Sequence, residues 1–248
     1  MRLRSNVPSP AAPLPPPEGE GRLCTGAVLA GGLSARMGSP KQSLRLPDGR
    51  TMIDHVIEAL AAVCQRIVIV GSGADSTDNQ SNAEIDNAAP SPQPSPIRER
   101  EIHSGRAERH ATISDLRPQA GPLGGIEALL ASGIDAPPAG AGQYLICPCD
   151  VPLITPELLR LLAQPSDGPA SVFRVDGRDE IEPLPARLST AALPEVRRML
   201  ETQHRSVWRL MQELQSRVIP IALQDAFQLH NVNTIEDFSE AVRLMKRV

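Results

Sequence analysis

Short apolar runs and longer amphipathic stripes alternate along most of the chain. "GAVLA" (26–30), "RIVIV" (66–70), "QYLIC" (143–147) and "ASVFRV" (170–175) are nearly continuous apolar runs of strand length, and "TIS" (112–114) offers a weaker one. Between them, "TMIDHVIEALAAV" (51–63) carries Met52, Ile53, Val56, Ile57 and Leu60 at helical spacing, with Thr51 and Asp54 placed as a capping box. "GPLGGIEALLAS" (121–132) predicts a helix entered from a glycine turn. "TPELLRLLAQ" predicts one with Thr155 as N-cap and Pro156 at the first helical position. Further helical patterns fall near 191–201 and 205–215, followed by "RVIPIAL" and a last capped helix, "TIEDFSEAVRLMKRV". Strand–helix alternation with strands apolar on both sides predicts a three-layer, Rossmann-like α/β domain with a mostly parallel sheet.

Two tracts break the pattern. Residues 1–21 contain Pro8, Pro10, Pro13, Pro15, Pro16 and Pro17, a composition that favours solvated, extended backbone, so a disordered tail is expected there. Residues 72–111 are polar and low in complexity, and are read as an insertion in a surface loop of a domain spanning 22–248.

Composition narrows the chemistry. With 248 residues and 41% apolar content the chain can bury a sizeable core, but only 2% of it is aromatic, so the core must be aliphatic. A net charge of −4 argues against a nucleic-acid partner. No run reaches membrane-spanning length and the start lacks a signal-peptide core, so a cytoplasmic protein is expected. Cys24, Cys64, Cys147 and Cys149 lack zinc-site spacing, and Cys147-Pro148-Cys149 reads as thiols buried at a strand end. His55, His103, His110 and His230 form no nucleophilic constellation, and the first three are expected to face solvent.

Three segments sit where parallel strands should end, the edge at which such sheets bind ligands: "LAGGLSARMGSPK" (29–41), "SDL" (114–116) and "CPCDVP" (147–152). The first spaces its glycines and lysine as neither a Walker loop nor a dinucleotide fingerprint. It keeps the physics of both, since small residues admit phosphate to backbone N–H groups and Arg36 and Lys41 neutralise it.

Taken with "GPLGGIEALL", "CPCDVPLIT" and "NVNTIEDF", this loop resembles the molybdenum-cofactor guanylyltransferases, MobA-like nucleotidyltransferases that join GMP from GTP to the phosphate of molybdopterin. The resemblance covers about residues 22–248 apart from the insertion, and implies a GT-A-like nucleotidyltransferase domain. It places Leu29, Ala30 and Gly31 along the nucleotide, makes Arg36, Lys41 and Asp150 catalytic, and adds Asp115 and Gly71 to the nucleotide site. Gly71 stands where some relatives carry asparagine, and Ile235 where proline is common. Asp150 is the expected Mg²⁺ ligand, a role that suits a hard oxygen donor, and Asn233 would complete the metal site. Asn231, Glu182 and Pro183 fall on the acceptor side, with "EPLPAR" (182–187) facing the pterin; Arg205 or Ser206 could reach the acceptor phosphate or simply belong to an amphipathic helix. The implied partners are GTP, the molybdopterin cofactor, and proteins that chaperone molybdoenzymes or insert molybdopterin. The resemblance leaves three alternatives: a molybdopterin cytidylyltransferase, another NTP-dependent nucleotidyltransferase, and a catalytically silent nucleotide-binding partner of molybdoenzymes.

Overall fold

The computed structural model describes residues 24–30, 44–71, 98–101, 109–117, 120–134 and 142–246. Residues 1–21, most of the 72–111 tract, His103, Gly31, Arg36 and Lys41 lie outside them.

Among the described residues eight strands form one sheet: β1 (Cys24–Leu29), β2 (Arg66–Val70), β3 (Arg98–Glu101), β4 (Arg109–Ile113), β5 (Gln143–Pro148), β6 (Ala170–Val175), β7 (Glu182–Ser189) and β8 (Arg217–Ile221). Their order is β3-β4-β2-β1-β5-β7-β6-β8. The pairs β1–β2, β1–β5, β2–β4 and β6–β8 are parallel, whereas β3–β4, β5–β7 and β6–β7 are antiparallel. The chain therefore winds outward from β1 to one side and returns to β5 on the other. The gap between the ends of β1 and β5 is the topological switch point, where open α/β sheets hold ligands.

The described residues also form six α-helices: α1 (Met52–Ala61), α2 (Pro122–Ala131), α3 (Pro156–Ala163), α4 (Leu193–Glu201), α5 (Val207–Glu213) and α6 (Ile235–Met245). Strand alternation sorts the core into two layers. Ala27, Leu29, Tyr144, Ile146 and Val172 face α2, α4 and α5, where Leu123, Ile126, Met199 and Leu210 meet them. Val28, Leu145, Cys147 and Phe173 point the other way, onto Val56 and Leu60 of α1 and Leu159 and Leu162 of α3. Because both faces are covered, these strands read as continuous apolar runs. A smaller cluster of Leu46, Met52, Leu153, Val232 and Ala241 seats α6.

The caps form as their sequences dictate. Thr51 and Asp54 make the reciprocal bonds of a capping box, Thr155 caps α3, and Thr234 with Asp237 boxes the start of α6. Ser206 caps α5 by accepting from Arg209 N at 3.2 Å, which engages its hydroxyl within its own helix.

Three features depart from the sequence expectations. β3 (Arg98–Glu101) and the start of β4 lie inside the stretch read as low complexity, with Arg100 opposite His110 in their antiparallel ladder. His110 does not face solvent: it is 6% exposed, on a strand that β3 pairs along its outer side. His55 is also turned inward, its Nε2 3.0 Å from Asp48 Oδ2. Among the described residues no helix is long and apolar enough to cross a membrane.

Candidate functional site at the strand ends

Backbone hydrogen bonds stitch the carboxyl ends of four strands together. Ala30 N donates to Val70 O at 2.7 Å, Gly71 N to Ile113 O at 3.1 Å, and Cys149 N to Leu29 O at 3.1 Å. A fourth bond, Val232 N to Asp150 O at 2.8 Å, brings in the segment before α6. Leu29, Ala30, Gly71, Asp115, Asp150, Asn231 and Asn233 thus gather along one sheet edge, although more than 200 residue positions separate the first from the last.

Asp115 stands two residues beyond β4, and its carboxylate packs against the first half of α2. A Cβ placed on Gly125 would lie 3.1 Å from Asp115 Oδ1, 3.1 Å from Val70 Cγ1 and 3.4 Å from Leu29 Cδ2. The missing side chain at Gly125 is what lets α2 sit close to the ends of β1, β2 and β4. Gly121, with φ of 67°, turns the chain into α2 at this same edge, a backbone angle that glycine adopts at little cost. Glu127, 3% exposed on α2, ties the loop down: Arg117 donates through Nε to Oε2 at 2.8 Å and through Nη2 to Oε1 at 3.3 Å. Arg197 of α4 lies 3.5 Å from the same Oε1. Sequence reasoning passed over this anchor, and the signal was a lone carboxylate in an otherwise apolar helix.

Asp150 follows β5 at the switch point, with Oδ1 shut off from solvent. Cys147, fully buried, has its thiol pushed well up by burial and then by the charges of Asp150 and Cys149, which keeps it protonated and a poor ligand for a soft metal. Among the described residues no three His, Cys, Asp or Glu side chains cluster as a metal cage. A Mg²⁺ site does not need one, because that ion takes one or two carboxylates and completes its shell with water and substrate phosphate oxygens. The donor chemistry at Asp150 therefore fits magnesium.

Asn231 and Asn233 are exposed on either side of buried Val232. Asp237 Oδ2 accepts from the N–H groups of Asn233 and Thr234, both at 2.8 Å. These bonds, the one from Asn233 first, hold the Asp237 carboxyl below its ordinary range. A depressed folded-state value means stabilisation present above the unfolded value near pH 4 and lost as pH falls through the folded one. Asp237→Asn should accordingly lower stability slightly at neutral pH and flatten the acid limb of a stability–pH curve. An unchanged curve from chemical denaturation would refute this.

Glu182 and Pro183 were expected on the acceptor side; Ile146 lies opposite Ala186 in the antiparallel β5–β7 ladder, so these two residues at the start of β7 run out toward the Asp150 edge. Glu182 Oε1 is 3.5 Å from Arg178 Nη1. The other end of "EPLPAR" is structural: Arg187 is 3% exposed, and donates through Nη1 to Gln143 Oε1 at 2.5 Å, through Nη2 to Gly168 O at 2.7 Å and through Nε to Ser171 Oγ at 3.3 Å. A cavity of about 210 Å³ opens between α5 and the β6–β7 turn, lined by Val172, Asp179, Ile181, Trp208, Met211 and Val218 among others. The sequence assigned no chemistry to this cavity.

Residues 26–218 match the family described as MobA-like NTP transferase domain. A probable molybdenum cofactor guanylyltransferase of Deinococcus radiodurans is 30% identical over 217 residues, covering 87% of this chain and 92% of its own. Another from Rhodopirellula baltica is 26% identical over 215 residues, 86% and 88% of the two chains. Among solved structures, molybdopterin-guanine dinucleotide biosynthesis protein A of Archaeoglobus fulgidus superposes with a TM-score of 0.62 at 20% identity, over 90% of this chain and 100% of that one. A 2-C-methyl-D-erythritol 4-phosphate cytidylyltransferase of Thermus thermophilus gives a TM-score of 0.54 at 14% identity, over 89% and 98%. The last two likenesses concern the fold alone.

Proposed function

The chain belongs to the MobA-like NTP transferase family, and from that membership we propose that it is the nucleotidyltransferase that moves GMP from GTP onto the phosphate of molybdopterin, releasing pyrophosphate. Relatives bearing the guanylyltransferase name align over most of both chains. The observation that carries the reading onto this chain is the stitched edge, where one hydrogen-bonded array joins the glycine loop's foot at Leu29–Ala30, Asp150 and the Asn231–Asn233 segment.

The acceptor needs no protein nucleophile. A phosphate monoester with a second pKa near 6 is mostly dianionic at pH 7 and can attack the α-phosphorus of GTP directly. What remains is alignment of attacking and leaving oxygens, and neutralisation of their charge. We assign the alignment to Leu29, Ala30 and Gly31 along the triphosphate, Asp115 and Gly71 on the nucleoside side, and Asn231, Glu182 and Pro183 on the acceptor side. Arg36 and Lys41 neutralise charge building on the pyrophosphate oxygens. Asp150, with Asn233, would hold Mg²⁺, which when bound supplies Lewis-acid charge at the phosphate oxygens. In the cell the reaction belongs in the cytoplasm, and its product would pass to proteins that chaperone molybdoenzymes or insert the cofactor.

The test is to incubate the purified protein with molybdopterin, Mg²⁺ and each NTP separately, and to identify the dinucleotide formed. GTP should give the fastest turnover. Faster pterin dinucleotide formation with CTP would overturn the base assignment and favour the cytidylyltransferase reading. No dinucleotide from any NTP would favour a silent binding partner.

A further inference from the structure

At the sheet edge opposite the site, two cysteines distant in sequence touch. Cys24 opens β1, and Cys64 follows α1, just before β2. The parallel register sets Thr25 beside Arg66, and Gln65 N donates to Cys24 O at 3.2 Å, so the two residues sit on adjoining lengths of backbone. Their Sγ atoms are 3.1 Å apart. Both are thiols here, yet only about 1 Å separates that distance from a disulfide bond of ~2.05 Å. The Cys64 sulfur packs closely against Gly26, where an added Cβ would come 3.3 Å from it and 2.7 Å from Ile67 Cδ1, so the glycine is what leaves room for this thiol. Cys24 is half-buried, whereas Cys64 is 3% exposed. Cys24 is thus the more accessible residue of the pair and Cys64 the enclosed one.

We propose that Cys24 and Cys64 are an oxidative modification site that a peroxide closes into a reversible disulfide. In the first step the Cys24 thiol gives up its proton, the thiolate attacks one oxygen of hydrogen peroxide, the O–O bond breaks to leave sulfenic acid and hydroxide, and the hydroxide takes up the released proton as one water. In the second, the Cys64 sulfur attacks the sulfenyl sulfur, the S–O bond breaks, and the hydroxyl leaves as a second water with the thiol's proton. Two thiols and one peroxide give one disulfide and two waters, the sulfurs losing two electrons to oxygen. A dithiol reductant reverses the reaction by exchange.

The bond would close a ring over residues 24–64, and this ring contains the whole glycine loop from Leu29 to Lys41. Its position separates it from the chemistry: β1 runs five residue steps from Cys24 to Leu29, about 16 Å at strand rise. The oxidised protein should therefore keep its turnover and gain resistance to unfolding, because the cross-link restricts the unfolded chain.

Wild-type protein treated with equimolar hydrogen peroxide should lose two hydrogens in mass and yield a peptide pair linking Cys24 to Cys64. Its Tm should rise by about 5–15 °C, and dithiothreitol should return both values. The Cys24→Ser and Cys64→Ala variants should each lose the two-hydrogen mass change. Because the peptide map is made on wild-type protein, misfolding of either variant would leave the conclusion standing or falling on that map. A link between Cys147 and Cys149, a dimer joined through Cys24, or sulfinic acid on Cys24 with Cys64 still alkylatable would each overturn the proposal.

Discussion

Asp150→Asn should lower kcat by about a hundredfold or more, the loss that follows removal of a principal electrostatic stabiliser. The substitution isolates charge from architecture. The bond that seats the α6 segment is accepted by the backbone oxygen of Asp150, which asparagine retains, and the amide keeps the side chain's shape. Tm should move by no more than a few degrees and could rise, since a carboxylate held at a strand end for ligation is tolerated for function rather than for folding. A merely structural Asp150 would behave in the opposite way, costing about 1 kcal/mol of stability and sparing turnover. Measuring kcat at saturating Mg²⁺ and GTP beside Tm separates the two, and near-normal turnover would remove Asp150 from the catalytic site.

The second large effect falls on stability. Arg187→Met should cost about 3 kcal/mol, because methionine fills much of the volume but leaves Gly168 O, Gln143 Oε1 and Ser171 Oγ without their buried donor. For a domain of this size that corresponds to a Tm drop of about 6–12 °C. Burial, and then the nearby charge of Arg217, lower the Arg187 pKa from its usual value, so the three acceptors are what make the buried guanidinium tolerable. Turnover of the folded fraction should be unchanged, because Gln143 lies at the opposite end of β5 from Asp150. If activity collapsed while Tm held, Arg187 would be an acceptor-binding residue and the structural assignment would fail.

The parts of the fold legible in the sequence were those whose physics is local. Strands covered on both faces read as apolar runs, and Thr51, Thr155 and Thr234 announced their helices. β3 and β7 did not announce themselves. "RERE" has no apolar face and becomes a strand through its ladder with β4, as context-dependent strand formation allows. "EPLPARLS" carries two prolines that argue against a central strand, and the structure reconciles them: the β5 ladder begins only at Ala186, beyond Pro183 and Pro185. The candidate site was legible as motifs at predicted strand ends, and Leu29, Ala30, Gly71, Asp115, Asp150, Asn231 and Asn233 do share one edge. The anchoring of Asp115's loop through Arg117, Glu127 and Arg197 was not legible, because it joins three segments that no sequence spacing relates.

The bond from Val232 to Asp150 also sets an order in time. A ribosome making this chain delivers the glycine loop first and Asp150 about 120 positions later, but the segment that closes over Asp150 follows only after some 80 more. A chain still tethered before residue 232 therefore holds an open half-site, whatever its sheet has already formed. Competence to bind both substrates would arrive only once α6 has left the exit tunnel and Ala241 can join Leu46 and Met52.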